Sequence, residues 1–338
     1  MQRKKEQRIT PDNGSVGSVP DPEYLKSLVE TGKAYYSGTA QIGYDRDKAK
    51  EYFQEAAQAG NGEAWYYLGN LEMNSIDLDQ YEQVMEYYTK AYECGYGPGL
   101  VGQAMLYEDG LGVGQDFAKA FELYTQATKE GYVEGYCGLG NLYWHGNGVL
   151  PDEKVALEYY KMAVESEDYI WRNFAKCQIA KMYKAGNPGI GLDYSAAYDW
   201  YTQAANEGYG SGFLGIGNMY YSGDGIDKDR QEAFEWYKRA VAHGNPTGMY
   251  IVGFMLEYGQ GVSQDYEQAL KYYLQAANLG DEDAMYRAGM IYANLDGEYG
   301  NTSIPEEAEY WLSLALRFTD DQEPTDSISK ILPYVTLG

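Results

Sequence analysis

Apolar and small residues recur along this chain at helical spacing, in paired stripes separated by short polar turns. Between Gly135 and Ser166 the first stripe runs through Gly135, Leu139, Gly140 and Tyr143, and the second through Ala156, Tyr159, Tyr160 and Ala163. Two amphipathic helices are therefore predicted. Gly146, Gly148 and Pro151 interrupt the pattern between them. Asp152 then stands at an N-cap position, where its carboxylate accepts hydrogen bonds from otherwise unpaired amides. One such hairpin cannot bury its own apolar face, so it needs neighbours of the same kind.

The chain supplies them at a regular interval. A glycine closes each second helix at Gly60, Gly95, Gly131, Gly208, Gly244 and Gly280, with Ser166 in that place in the fourth unit, giving spacings of 35, 36, 35, 42, 36 and 36. A period near 36 predicts a helix-turn-helix solenoid, all-α, of about eight hairpins starting near residues 24, 61, 96, 132, 167, 209, 245 and 281. The expected organisation is a polar, basic tail over 1–22, the solenoid over 23–317, and a C-terminal cap or tail over 318–338. In that last segment Ile328, Ile331 and Leu332 stand at helical spacing, enough to cover the open face of a final repeat. Hairpin five breaks the beat, with extra residues around Tyr169 to Asn173 and one more in its turn, and is expected to lengthen a helix or bend the stack.

Glycine or alanine at 64, 99, 135, 175, 212, 248 and 284 keeps one helix face flat enough for close packing. Asp116, Asp152, Asp229 and Asp265 end the turns as N-caps. Glu232 and Gln268, three residues after the last two, are placed to complete capping boxes.

Charge narrows the partner class. Lys plus Arg is 26 against 51 Asp plus Glu, a net charge of −25 that repels nucleic acid and anionic membrane surfaces and points to neutral or basic protein partners. No apolar run has the length of a signal peptide or a membrane span, so no membrane insertion is expected. Cys94, Cys137 and Cys177 are an odd set without CxxC spacing, which argues against a disulfide framework and for a cytoplasmic location.

The segment GNMYYSGDGIDKDRQEAFEWYKRAVAHG (Gly217 to Gly244), echoed in hairpins three, four and seven, resembles the signature of the Sel-one-like repeat (SLR) family, relatives of the tetratricopeptide repeat. The resemblance extends from about residue 24 to 317. It implies a right-handed α/α superhelix that acts as an adaptor or scaffold for protein complexes. Cysteine-rich secreted members pair two cysteines per repeat, and this chain departs from that pattern.

In tetratricopeptide-like solenoids the first helices line the concave face, and the residue after the motif glycine points into the groove. Here those residues are Asn70, Asn141 and Asn218. A carboxamide both donates and accepts, so a row of them suits an extended peptide backbone. Trp144 and Tyr221, with Tyr36, lie at the position just beyond the motif tyrosine, and Tyr66, Tyr250 and Tyr286 lie one turn earlier, completing a polar and aromatic groove. The same residues equally suit packing between repeats. Lys181 and Phe254 replace the asparagine in hairpins five and seven, so the row is interrupted.

The expected function is thus a non-catalytic protein-binding scaffold needing no cofactor. A small-molecule or glycan-binding groove is the alternative. A β-lactamase-like hydrolase would rest on Ser327-Ile-Ser-Lys330 alone, an S-x-x-K without its S-D-N or K-T-G companions. Gly210 to Gly215 matches G-x-G-x-x-G but joins two predicted helices rather than following a strand. His145 and His243 are the only histidines and lie in different repeats, without metal-ligand spacing. His145 is expected beside Trp144 and His243 at a helix C-terminus.

Overall fold

The computed structural model describes residues 21–37, 45–73, 81–186, 188–294, 299, 304–318 and 328–332. Among them there are helices and turns and no strand. Eight antiparallel hairpins follow one another. The first four are α1 (Pro22–Ser37) with α2 (Arg46–Gln58), α3 (Gly62–Met73) with α4 (Tyr81–Glu93), α5 (Pro98–Asp109) with α6 (Phe117–Lys129), and α7 (Val133–His145) with α8 (Glu153–Val164). The last four are α9 (Tyr169–Ala185) with α10 (Tyr194–Asn206), α11 (Gly210–Ser222) with α12 (Arg230–Ala242), α13 (Pro246–Tyr258) with α14 (Tyr266–Ala277), and α15 (Glu282–Ala293) with α16 (Pro305–Phe318). Residues 328–332 add a short helical segment whose Ile328 is buried in the last core cluster with Trp311, Leu312 and Ala315. The predicted basic tail falls almost wholly outside the described residues, as do the turn of hairpin two and Ser327.

Among the described residues, six of the eight hairpins are closed by the same pair of hydrogen bonds, at Asp45, Asp116, Asp152, Asp193, Asp229 and Asp265. The aspartate caps accept as expected, for instance Asp116 from the Lys119 amide at 2.9 Å and Asp152 from the Lys154 and Val155 amides at 3.0 Å. The backbone N–H of each cap donates back to the first helix: Asp116 to the Tyr107 carbonyl at 2.8 Å, Asp152 to Tyr143 at 2.9 Å and Asp265 to Leu256 at 2.9 Å. That bond corrects the capping-box expectation. The amide that Gln268 was to receive is already used, and its Nε2 donates instead to the Asp265 carboxylate at 2.6 Å.

Between hairpins the glycines act through backbone conformation. Gly131 has φ +90° and nothing near its absent side chain, so a left-handed turn and not space is what it provides. Ser166, in the same place, has no positive φ. The extra residues of this unit go into the helix that follows: α9 runs for 17 residues where its neighbours have 13 or fewer.

The first helices form the inner layer. Successive ones approach each other directly, α3 with α5, α5 with α7, α7 with α9, α9 with α11 and α11 with α13, whereas successive second helices stay further apart. Close packing at Gly135 shows why small residues recur: a Cβ there would stand 2.7 Å from the Tyr124 carbonyl oxygen of the preceding second helix. At Gly140 a Cβ would stand 2.8 Å from the Tyr160 ring.

Candidate functional site

The inner wall is organised by a row of tyrosines on the second helices: Tyr88, Tyr124, Tyr160, Tyr201, Tyr237 and Tyr273. All six rings are buried. Burial raises the pKa of each phenol, so the hydroxyls stay protonated and act as donors. Their acceptors sit on the first helix of the same hairpin. Tyr88 donates to Asn70 Oδ1 at 2.8 Å, Tyr160 to Asn141 Oδ1 at 2.6 Å and Tyr237 to Asn218 Oδ1 at 2.8 Å.

This places the three predicted asparagines plainly. Each lies half-buried on the inner layer, with its carbonyl already engaged by its own hairpin. The bond sets the amide orientation, because a phenol donor selects the oxygen. Asn70 also reaches the Tyr66 hydroxyl. The amide nitrogens of Asn141 and Asn218 donate to nothing among the described residues.

Where asparagine is missing, a glutamate three positions later takes its role. Tyr124 donates to Glu108 Oε2 at 2.9 Å and Tyr273 to Glu257 Oε2 at 2.6 Å. Sequence reasoning missed both glutamates, although Met105 and Phe254 at the asparagine position were a sign that the tyrosine needed another acceptor. In hairpin five, with Lys181 at that position, Tyr201 has no hydrogen-bond partner within the described chain.

The aromatic residues divide. Tyr66 packs against Tyr88, Tyr67 and Tyr96 with ring centroids 5.6, 5.8 and 5.4 Å away. Trp144 stacks on His145 at 5.3 Å and meets the edge of Tyr160 at 6.3 Å. Tyr221 bonds to Gln260, with the Arg230 guanidinium 5.3 Å from its ring centroid. Tyr250 contacts Tyr273 and Phe254, and Tyr286 lies under Arg287. Arg287, not foreseen from the sequence, also donates to the Tyr258 hydroxyl at 2.8 Å and faces Glu257 at 3.6 Å. The structure therefore spreads the nine predicted residues along six first helices, in neighbouring pairs on α3, α7 and α11 and singly on α1 (Tyr36), α13 and α15.

Other motifs find structural roles. Gly210 to Gly215 lies inside α11, where Gly212 and Gly215 pack against Ala205 and the Tyr201 ring, so a dinucleotide loop is not formed. His243 caps the C-terminus of α12 and stacks on Phe213 at 4.7 Å. Among the described residues no group of His, Cys, Asp or Glu is arranged to hold a metal ion. No described helix is long and apolar enough to cross a membrane.

An α/α solenoid with a continuous inner layer defines the class. The chain belongs to the Sel1 repeat family, whose pattern matches residues 26–61, 63–96, 100–132, 133–168, 174–209, 213–245, 246–281 and 282–317. A Sel1 repeat protein from Oxalobacter formigenes is similar over 75% of this chain and 100% of its own, with 27% identity and a TM-score of 0.53. Yeast Tom70 shares the fold over 98% of this chain and 67% of its own, with 13% identity and a TM-score of 0.62. The protective antigen c5321 of uropathogenic Escherichia coli, described as displaying an SLR fold, matches 93% of this chain at 27% identity and a TM-score of 0.46. This chain spans 65% of that protein's length. No curated protein matches the chain.

Proposed function

We propose that this protein is a non-catalytic scaffold whose inner wall holds an extended segment of a partner protein. The observation that carries this reading is the pair Asn141 and Asn218. Their carbonyls are held by Tyr160 and Tyr237, which leaves two oriented amide donors without partners among the described residues. Trp144 and Tyr221, one turn further along the same helices, supply apolar surface beside them. A net charge of −25 favours a neutral or basic segment. A cytoplasmic setting accords with three unpaired thiols. Depressions of about 310 and 360 Å³ lie on the second helices α8 and α16, around Tyr159 and Tyr310.

The test is selection of phage-displayed dodecapeptides on the immobilised chain. Selected peptides should lose binding to a variant carrying Asn141→Ala, Trp144→Ala and Asn218→Ala, with helical circular dichroism unchanged. Peptides that bind this variant as well as the parent place the binding surface elsewhere.

A further inference from the structure

Three glutamates are almost fully buried among the described residues: Glu72 at 3% exposure, Glu134 at 8% and Glu257 at 2%. Two of them are neutralised within the chain. Glu72 pairs with Arg46 at 3.0 Å and Lys50 at 2.6 Å, and Glu257 faces Arg287 while accepting from Tyr273. Glu134 has no cation among the described residues. Its carboxylate accepts from its own backbone amide and from the Trp171 side chain, and the neighbouring charge is Asp168, of the same sign. Burial, with Asp168 adding to it, raises the Glu134 pKa above the usual carboxylate range. A buried acid without a counter-ion is costly to keep, so its presence on the inner layer calls for a partner.

Repeat register shows what is missing. Glu134 precedes the small residue Gly135, as Glu63 precedes Ala64. Glu63 is paired with Lys33 of the preceding inner helix. Lys33 stands two residues before Tyr35, whose carbonyl accepts from the cap of α2, and in α5 the residue two before the equivalent Tyr107 is Met105. Met105 is 42% exposed and carries no charge. The lysine that neutralises Glu63 has thus been replaced in front of Glu134 by an open, neutral side chain. The phenols of Tyr66 and Tyr96 lie within electrostatic reach of Glu134, their rings 5.4 Å apart, and aromatic faces beside a carboxylate suit a cationic side chain.

We propose that Glu134 is the counter-ion for a lysine or arginine side chain of the bound segment, which enters the inner wall between Tyr66, Tyr96 and Trp171. The proposal rests on the groove reading above and adds the residue type it selects. The experiment uses the selected dodecapeptides and isothermal titration calorimetry on the full chain. Glu134→Gln keeps the shape and an acceptor for Trp171 while removing the charge. It should leave thermal stability equal or higher and weaken a groove-dependent peptide by about tenfold or more. Replacing the peptide's lysine by norleucine should cost the same on the parent and nothing further on Glu134→Gln. Met105→Lys, at an exposed position, should supply the cation from within and weaken the same peptide without loss of fold. Peptides that depend on Asn141, Trp144 and Asn218 but carry no basic residue, or bind Glu134→Gln unchanged, overturn this inference and leave the groove reading standing. Peptides indifferent to the triple variant overturn both.

Discussion

The buried tyrosine row offers a graded test, because the surroundings repeat while the hydroxyl's partner changes. Tyr201→Phe removes a hydroxyl with no hydrogen-bond partner among the described residues, so stability should move by less than about 0.5 kcal/mol. Tyr160→Phe removes a 2.6 Å bond to the neutral, half-buried Asn141 carbonyl, a net loss of about 1 kcal/mol. Tyr273→Phe strips a 2.6 Å bond from the buried Glu257 carboxylate. A bond to an ionised acceptor raises the loss to about 2–3 kcal/mol. Arg287, 3.6 Å from the same carboxylate, keeps the cost below that of an orphaned buried charge. Repeat arrays open in segments, so the readout is the local opening free energy from hydrogen exchange in hairpins four, five and seven. The expected order of loss is Tyr201, then Tyr160, then Tyr273. Equal losses, or the largest at Tyr201, would refute the assignment of the hydroxyls to these acceptors and leave ring packing as their sole role.

Two further outcomes follow from local chemistry. Hydrogen bonds from Lys176, Arg172 and Asn173 hold the Glu207 carboxylate down at about 2, so the stability it contributes is present above the ordinary glutamate pKa and is lost as pH falls from about 4.5 through 2. Glu207→Gln should lower stability at pH 7 and flatten that acid limb in urea titrations at pH 7 and pH 3; an unchanged limb counts against the cluster. Burial pushes the Cys177 thiol up to about 12 and raises Cys137 further, whereas Cys94 is exposed. A thiol titration with Ellman's reagent at pH 8 should therefore count one fast thiol in the native chain and three after denaturation, and fast reaction of a second thiol would contradict the burial.

What could be read in the sequence was what depends on neighbours within a few residues. The caps Asp116, Asp152, Asp229 and Asp265 bind amides two or three positions on, and the lengthened α9 takes up the extra residues around Tyr169 to Asn173. The period brought out the hairpins, and the resemblance to tetratricopeptide-like solenoids assigned the first helices to the inner face and picked out the asparagines on them. Their hydrogen bonds were hidden because each acceptor stands 16 to 19 positions before its tyrosine and comes from either of two places on the first helix. The capping boxes failed for a related reason, since the cap amide is drawn to a carbonyl across the turn, Leu256 in the case of Asp265. Glu134 could not be singled out at all without knowing that Glu72 and Glu257 have cations and it does not.

The exchange of asparagine for glutamate bears on how the wall would be used. The fold asks one thing of these positions, an acceptor for a buried phenol, and either residue satisfies it. The choice between them therefore leaves the hairpin's architecture unchanged, whatever it does to the strength of that one bond, and acts on what is left facing the groove. An asparagine held through its oxygen leaves a neutral donor, while a glutamate held through one oxygen leaves a second acceptor, met by Asn147 at 3.4 Å in Glu108 and by Arg287 at 3.6 Å in Glu257. Along the chain the acceptors are Asn70, Glu108, Asn141, Asn218 and Glu257, with the lysines Lys181 and Lys184 in hairpin five, where Tyr201 lacks an acceptor. Asn70 spends its amide on Tyr66 and Lys184 is paired with Asp224 at 3.0 Å, so hairpins three to five present Glu108, the Asn141 donor and Lys181 in turn, an order that one extended segment would meet in one direction only. On the groove reading, exchanging Glu108 and Asn141 with their alternatives, as Glu108→Gln and Asn141→Asp, should reorder which peptides are selected while the helical signal stays the same. Selection of the same peptides by the exchanged wall would mean that the acceptors serve the hairpins alone.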